Sequence, residues 1–216
     1  FEFMHKAQAG FDRFLTDGAT NYLHYYANIL GNCYYHFGEY REAIKYLKKT
    51  IQLPLWWKNV IFAPAIFNNL ALSYQQLKEY DSAASWFKKS YESAVASKDS
   101  FYRALVQGNL GFTFYLQQHY DKALPLLEAD YAGSMQAGQT GSATNAAMTL
   151  ADIYIKKGQL QLAEKYINLS RQYVYGAPNA ALLKYWYQNL FHLAKAKADY
   201  KNTSLFADSL IAYKDS

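Results

Sequence analysis

Apolar residues recur along this chain at helical steps, as from Leu30 to Tyr34, Leu70 to Tyr74, Leu150 to Tyr154, Ala43 to Leu47 and Ala83 to Phe87. Such spacing gathers one apolar face on an α-helix, and the alternation of a half-buried strand does not govern the pattern. The pattern itself repeats. The phrases "GEYREA" at Gly38, "KEYDSA" at Lys78, "QHYDKA" at Gln118 and "GQLQLA" at Gly158 stand 40 residues apart. Counting from the last Ala of each phrase (Ala43, Ala83, Ala123, Ala163, with Thr203 in the fifth place), a Leu stands 13 residues upstream every time, at Leu30, Leu70, Leu110, Leu150 and Leu190.

Other positions keep the same register. Gly31, Ala71, Gly111 and Ala151 follow those leucines, with Phe191 last; Tyr34, Tyr74, Phe114 and Tyr154 lie nine before the origin, and Leu47, Phe87, Leu127 and Ile167 four after it. Each unit therefore reads as two amphipathic helices joined by a short turn. Gly38 and Gly158 suit the end of a first helix, and Asp81 and Asp121 suit the start of a second, where a carboxylate can accept from free amides. The small residues at the Gly31 and Ala43 positions let the two helices approach closely while Tyr34 and Leu47 fill the space between them. Neighbouring hairpins must then stack to bury their faces, and the five leucines are expected inside.

The expected fold class is all-α, a solenoid of antiparallel helical hairpins. One domain spans 1–216: residues 1–18 read as the second helix of a partial leading unit, followed by units at about 22–58, 61–98, 101–138, 141–176 and 179–216. The fifth unit has lost its small residues, at Phe191 and Thr203, which suits a terminal cap.

This register of Leu, Gly/Ala, Tyr, Gly, Tyr and Ala resembles the tetratricopeptide repeat over nearly the whole chain. The period is longer than the family's usual one, implying about one extra helical turn per unit. The resemblance implies a right-handed superhelical winding of the solenoid and a protein- or peptide-binding scaffold whose first helices line a concave groove. The groove residues would be Tyr25, Asn28, Asn32, Tyr35 and His36 in the first unit, Asn68, Asn69 and Gln75 in the second, Asn109 and Tyr115 in the third, Asp152 in the fourth, and Tyr185, Gln188 and Asn189 in the fifth. Side-chain amides both donate and accept, so they can follow the backbone of an extended peptide, and Tyr adds apolar area with a polar tip. Some family members clamp a C-terminal carboxylate with Lys and Arg. Here Asn32 and Asn69 match two of the clamp positions, but Asn28, Leu105 and Asn109 stand where the basic residues would be.

Composition narrows the chemistry. With 51% apolar and 18% charged residues the chain can bury a core, and no apolar run reaches membrane-spanning length, so no direct membrane insertion by this segment is expected. The formal charge of +5 is spread, with pairs such as Lys48/Lys49, Lys88/Lys89 and Lys156/Lys157 distributed along the repeats, so no phosphate-binding patch forms and nucleic acid is not the expected partner. Cys33 alone supports neither an internal disulfide nor a thiolate metal site, and it reads as a small buried hydrophobe. His5, His24, His36, His119 and His192 are scattered without metal-ligand spacing. "GQTGSAT" at Gly138 looks like a phosphate loop but has no Lys and follows a helix. No enzyme activity, metal or cofactor is expected.

The adjacent Trp56 and Trp57 cannot easily both point inward, which leaves one as a contact residue or both in inter-repeat packing. The opening "FEFMHKAQAG" has no initiator Met, basic leader or cleavage pattern and reads as a piece of a longer chain. The long period and the Tyr/Asn-rich units are also similar to the repeat arrays of Bacteroidetes membrane-anchored sensor regulators. That likeness implies the ligand-sensing part of a bacterial signalling protein, on the periplasmic side, with a cytoplasmic location as the alternative. A cytoplasmic peptide-pheromone receptor and a purely structural scaffold acting through its convex face remain the competing readings.

Overall fold

The computed structural model describes residues 2–16, 23–53, 62–176 and 180–212, and every regular element among them is an α-helix. Trp56, Trp57 and Pro54 lie outside the described residues. In chain order the helices are α1 (Glu2–Thr16), α2 (Leu23–His36), α3 (Tyr40–Gln52), α4 (Ala63–Gln76), α5 (Tyr80–Ala96), α6 (Ser100–Leu116), α7 (Tyr120–Gln136), α8 (Thr140–Lys156), α9 (Leu160–Gly176), α10 (Ala180–Ala196) and α11 (Tyr200–Ala212). The chain divides into two compact units, Phe1–Thr113 and Phe114–Ser216.

In the first unit α1 packs on α2, α2 pairs with α3 and α4 with α5, and α3 and α2 both pack against α4. Two clusters form its interior. One joins Phe11, Leu23, Leu30 and Tyr46; the other joins Leu47, Leu70, Phe87 and Val106. In the second unit α7 packs on α8, α8 pairs with α9 and α10 with α11, and α10 rests on α8 and α9. Leu127, Leu150, Ile153, Ile167 and Trp186 fill its core. Of the five periodic leucines, Leu30, Leu70 and Leu150 are wholly buried, whereas Leu110 and Leu190 sit half-buried at the margins of their cores.

The small-residue positions are tight for a measurable reason. A Cβ added to Gly31 would lie 2.5 Å from Leu47 Cγ, so α2 and α3 can meet at this distance only without a side chain there. Above that contact the rings of Tyr34 and Tyr46 stack at 5.3 Å, and Tyr154 and Tyr166 repeat the arrangement at 5.7 Å in the fourth hairpin.

The turns carry the 40-residue cadence in their backbone. Gly38, Lys78, Gln118, Gly158 and Ala198 all have positive φ, between 56° and 80°. Each is followed by an amide that reaches back into the helix: Glu39 N–H to Tyr34 O, Glu79 to Tyr74, His119 to Phe114, Gln159 to Tyr154 and Asp199 to Ala194. These are Schellman endings, in which a left-handed residue lets two amides satisfy the last carbonyls. The sequence pattern flags only the two glycines, because Lys, Gln and Ala are unusual in this conformation. Gly138 in "GQTGSAT" is another such ending, after α7.

The helix starts differ from expectation. The residues before α3, α5 and α7 are Glu39, Glu79 and His119, and none makes a side-chain cap. Asp81 and Asp121 fall inside the first turn, where a negative charge still favours the positive end of the helix dipole. Asp121 instead accepts from Lys157 Nζ at 2.7 Å, which holds its carboxyl below the usual range. On α11 the exposed positions are mixed: Tyr200, Leu205 and Ile211 stand open beside Lys201, Ser204 and Asp208.

Candidate binding surface on the first helices

In the first unit the helices α2, α4 and the described unit's share of α6 are joined by side-chain amides. Asn109 Nδ2 donates to Asn68 Oδ1 at 3.0 Å, Asn68 Nδ2 to Asn69 Oδ1 at 3.3 Å, and Asn69 Nδ2 to Asn32 Oδ1 at 2.8 Å. The result is a head-to-tail relay across three hairpins with all donors pointing toward the N-terminal one. It arises because the positions 11, 14 and 15 before the origin meet between neighbouring hairpins, at separations of 37 and 41 residues. Asn68 is buried; Asn32, Asn69 and Asn109 are half-exposed. An amide has two N–H groups and two lone pairs, so the relay uses about half of that capacity at Asn68 and Asn69 and about a quarter at Asn32 and Asn109.

A second bond runs parallel to the relay. Gln75 Nε2 donates to Thr113 Oγ1 at 2.9 Å, and that hydroxyl donates to Asn109 O at 2.8 Å. Thr113 is not among the sequence-derived groove residues, although Ser73 occupies the same register position, and there too a hydroxyl bonds the carbonyl four residues back. Asn28 is half-buried with its Oδ1 enclosed and unbonded. Tyr35 is half-buried against Tyr40, and burial, reinforced by that neighbour, raises its hydroxyl pKa. His36 stands exposed against the edge of Tyr35, and Tyr25 is exposed beside Tyr26.

The second unit places its expected residues in a different polar cluster. Tyr115 donates its hydroxyl to Asp152 Oδ2 at 2.7 Å. Lys156 Nζ pairs with the same oxygen and lies 5.1 Å from the centre of the Tyr115 ring. Asp152 is buried, while Lys156 remains exposed. The Tyr185 hydroxyl is enclosed beside Thr149, Tyr115 and Asp152, and it closes no hydrogen bond of normal geometry. Burial, with the neighbouring Tyr185 and Asp152, holds the Tyr115 hydroxyl far above its ordinary range. Asn189 is buried, donates to Met148 O at 2.9 Å and keeps an enclosed, unbonded Oδ1; Gln188 is half-buried.

Asn189, Asn69 and Asn109 share one register position, 14 before the origin, and all three donate into the preceding hairpin. Their recurrence thus has a packing cause alongside any binding role. A hollow of about 280 Å³ at the α6–α7 turn is lined by Gln118, His119, Tyr120, Asp121, Lys122 and Lys157, none of them a member of these clusters, and is spanned by the Asp121–Lys157 pair. No helix among the described residues is long and apolar enough to cross a membrane.

Hairpins with this register, tight Gly/Ala contacts and Schellman turns invite comparison with known proteins. Tetratricopeptide repeat models match residues 28–56, 62–129 and 144–170, more than half of the chain. The chain belongs to the tetratricopeptide repeat family. Among solved structures, BtubC from P. vanneervenii is similar with a TM-score of 0.75 at 15% identity, covering 98% of this chain and 89% of that one. The nearly identical TPR-like repeats of a Podosopora anserina kinesin light chain-type protein give 0.67 at 16% identity over 87% and 93%. Aspartyl phosphate phosphatase F from Bacillus subtilis gives 0.70 at 20% identity over 88% of this chain, which spans about half (49%) of that protein. At these identities the likeness is one of fold. No curated protein sequence matches the chain. As a tetratricopeptide repeat array the protein is an interaction scaffold, a fold that is in general non-catalytic.

Proposed function

We propose that the first helices of the array bind an extended protein or peptide segment, as the interaction part of a larger bacterial signalling protein. The observation that carries this reading is the oriented amide relay from Asn109 through Asn68 and Asn69 to Asn32. A partner backbone needs donors and acceptors at fixed positions. Half-exposed amides whose orientations are already set by their neighbours offer them with little further ordering cost. Tyr25, Tyr35 and His36 in the first hairpin supply aromatic area beside the relay. The signalling context rests on the likeness of the long, Tyr/Asn-rich units to sensor arrays.

The test is a peptide array of unstructured segments probed with the parent protein and with the double variant Asn69→Ala, Asn109→Ala, at a temperature where circular dichroism shows both folded. Each lost hydrogen bond weakens binding by about 0.5–1.5 kcal/mol, so the double variant should bind roughly ten-fold or more weakly. Equal binding by the two proteins would remove the relay from the site.

A further inference from the structure

The buried carboxylate of Asp152 is unusual for an interaction surface, because a charge is kept out of water only where something compensates it. Here compensation comes from Tyr115, by a hydroxyl bond of 2.7 Å, and from the exposed Lys156. Both bonds fall on Oδ2. Lys156 also lies over the Tyr115 ring at 5.1 Å. A cation is thus already held between a carboxylate and an aromatic face, on a flexible and solvent-accessible stem. A second observation points the same way: the Tyr185 hydroxyl is enclosed beside Tyr115, Asp152 and Thr149 without closing a hydrogen bond of normal geometry to any of them.

We propose that Asp152, Tyr115 and Tyr185 form a receptor for an arginine side chain of the bound segment, with Lys156 as an internal stand-in that the arginine displaces. A guanidinium fits better than an ammonium. Its planar fork of five donors can engage both carboxylate oxygens, including the Oδ1 that Lys156 and Tyr115 leave open, and can still reach the Tyr185 oxygen, while its face stacks on an aromatic ring. The inference rests on the reading that the first helices receive a protein segment, and it names one side chain of that segment.

The experiment uses N-acetyl-arginine amide as the probe and N-acetyl-citrulline amide, which has the same shape without the charge, as control. Both are titrated by NMR into the full chain, into Lys156→Gln and into Asp152→Asn. The expected result is that Lys156→Gln binds the arginine probe about ten-fold more tightly than the parent does, with shifts at Tyr115 and Tyr185. Its melting temperature should rise with the probe, citrulline should leave it unmoved, and Asp152→Asn should lose the response. Because the citrulline control needs no variant at Asp152, the proposal stays exposed even if Asp152→Asn folds poorly. Citrulline binding as well as arginine, or Lys156→Gln binding no more tightly than the parent, overturns it. Neither result touches the amide relay, which is probed separately with peptides.

Discussion

Lys78, Gln118 and Ala198 occupy the left-handed conformation that Gly38 and Gly158 adopt freely at the same register position. A side chain there costs about 1–2 kcal/mol. A Cβ at Gly158 would meet nothing within 4 Å, so Gly158→Ala isolates this conformational cost; it should lower stability by about 1 kcal/mol, or roughly 2–4 °C in melting temperature for a chain of this size. Ala198→Gly should move the other way, by a smaller amount because glycine also loosens the unfolded chain. Thermal scans of the two single variants decide this, and a Gly158→Ala protein as stable as the parent would refute it. Gly31→Ala is a different experiment on the same kind of residue. Its new Cβ meets Leu47 at 2.5 Å, so the cost is overpacking, about 1–3 kcal/mol, and should be largely relieved by pairing it with Leu47→Ala.

At the scale of the helix pair, the periodic pattern foretold which faces meet, because burial of apolar positions follows the helical repeat directly. Tyr34, Leu47, Tyr74 and Phe87 lie where their register positions require. What the pattern left open depends on partners far apart in sequence. The Asn32–Asn69 and Asn68–Asn109 bonds need the offset between neighbouring hairpins, and a string of letters shows that amides recur without showing that they bond to one another. The same limit hid Thr113, whose small polar side chain looks unremarkable until Gln75 is placed against it. Amides that bond between hairpins cannot be removed without cost to the fold. Asn68→Ala strips two partners from a buried position and should cost about 1–3 kcal/mol, whereas Asn28→Ala removes an enclosed oxygen with no partner and should be near neutral. Urea titration of both variants makes the comparison, and equal losses would mean that the relay adds nothing to stability.

For the whole molecule, family membership makes the chain an interaction scaffold, and each of its two units carries its own core and its own row of polar first-helix residues. The central claim is that partners dock on those rows instead of on the second helices. Site-specific photo-crosslinking tests it most directly, with a benzophenone amino acid placed at positions whose side chains are already exposed, so that the fold is left intact. Tyr25 and Phe112 serve on the first helices, and Lys88 and Lys165 on the second. With a peptide selected from the array as partner, crosslinks are predicted from Tyr25 or Phe112 and not from Lys88 or Lys165. Crosslinks from the second-helix positions alone would contradict the account.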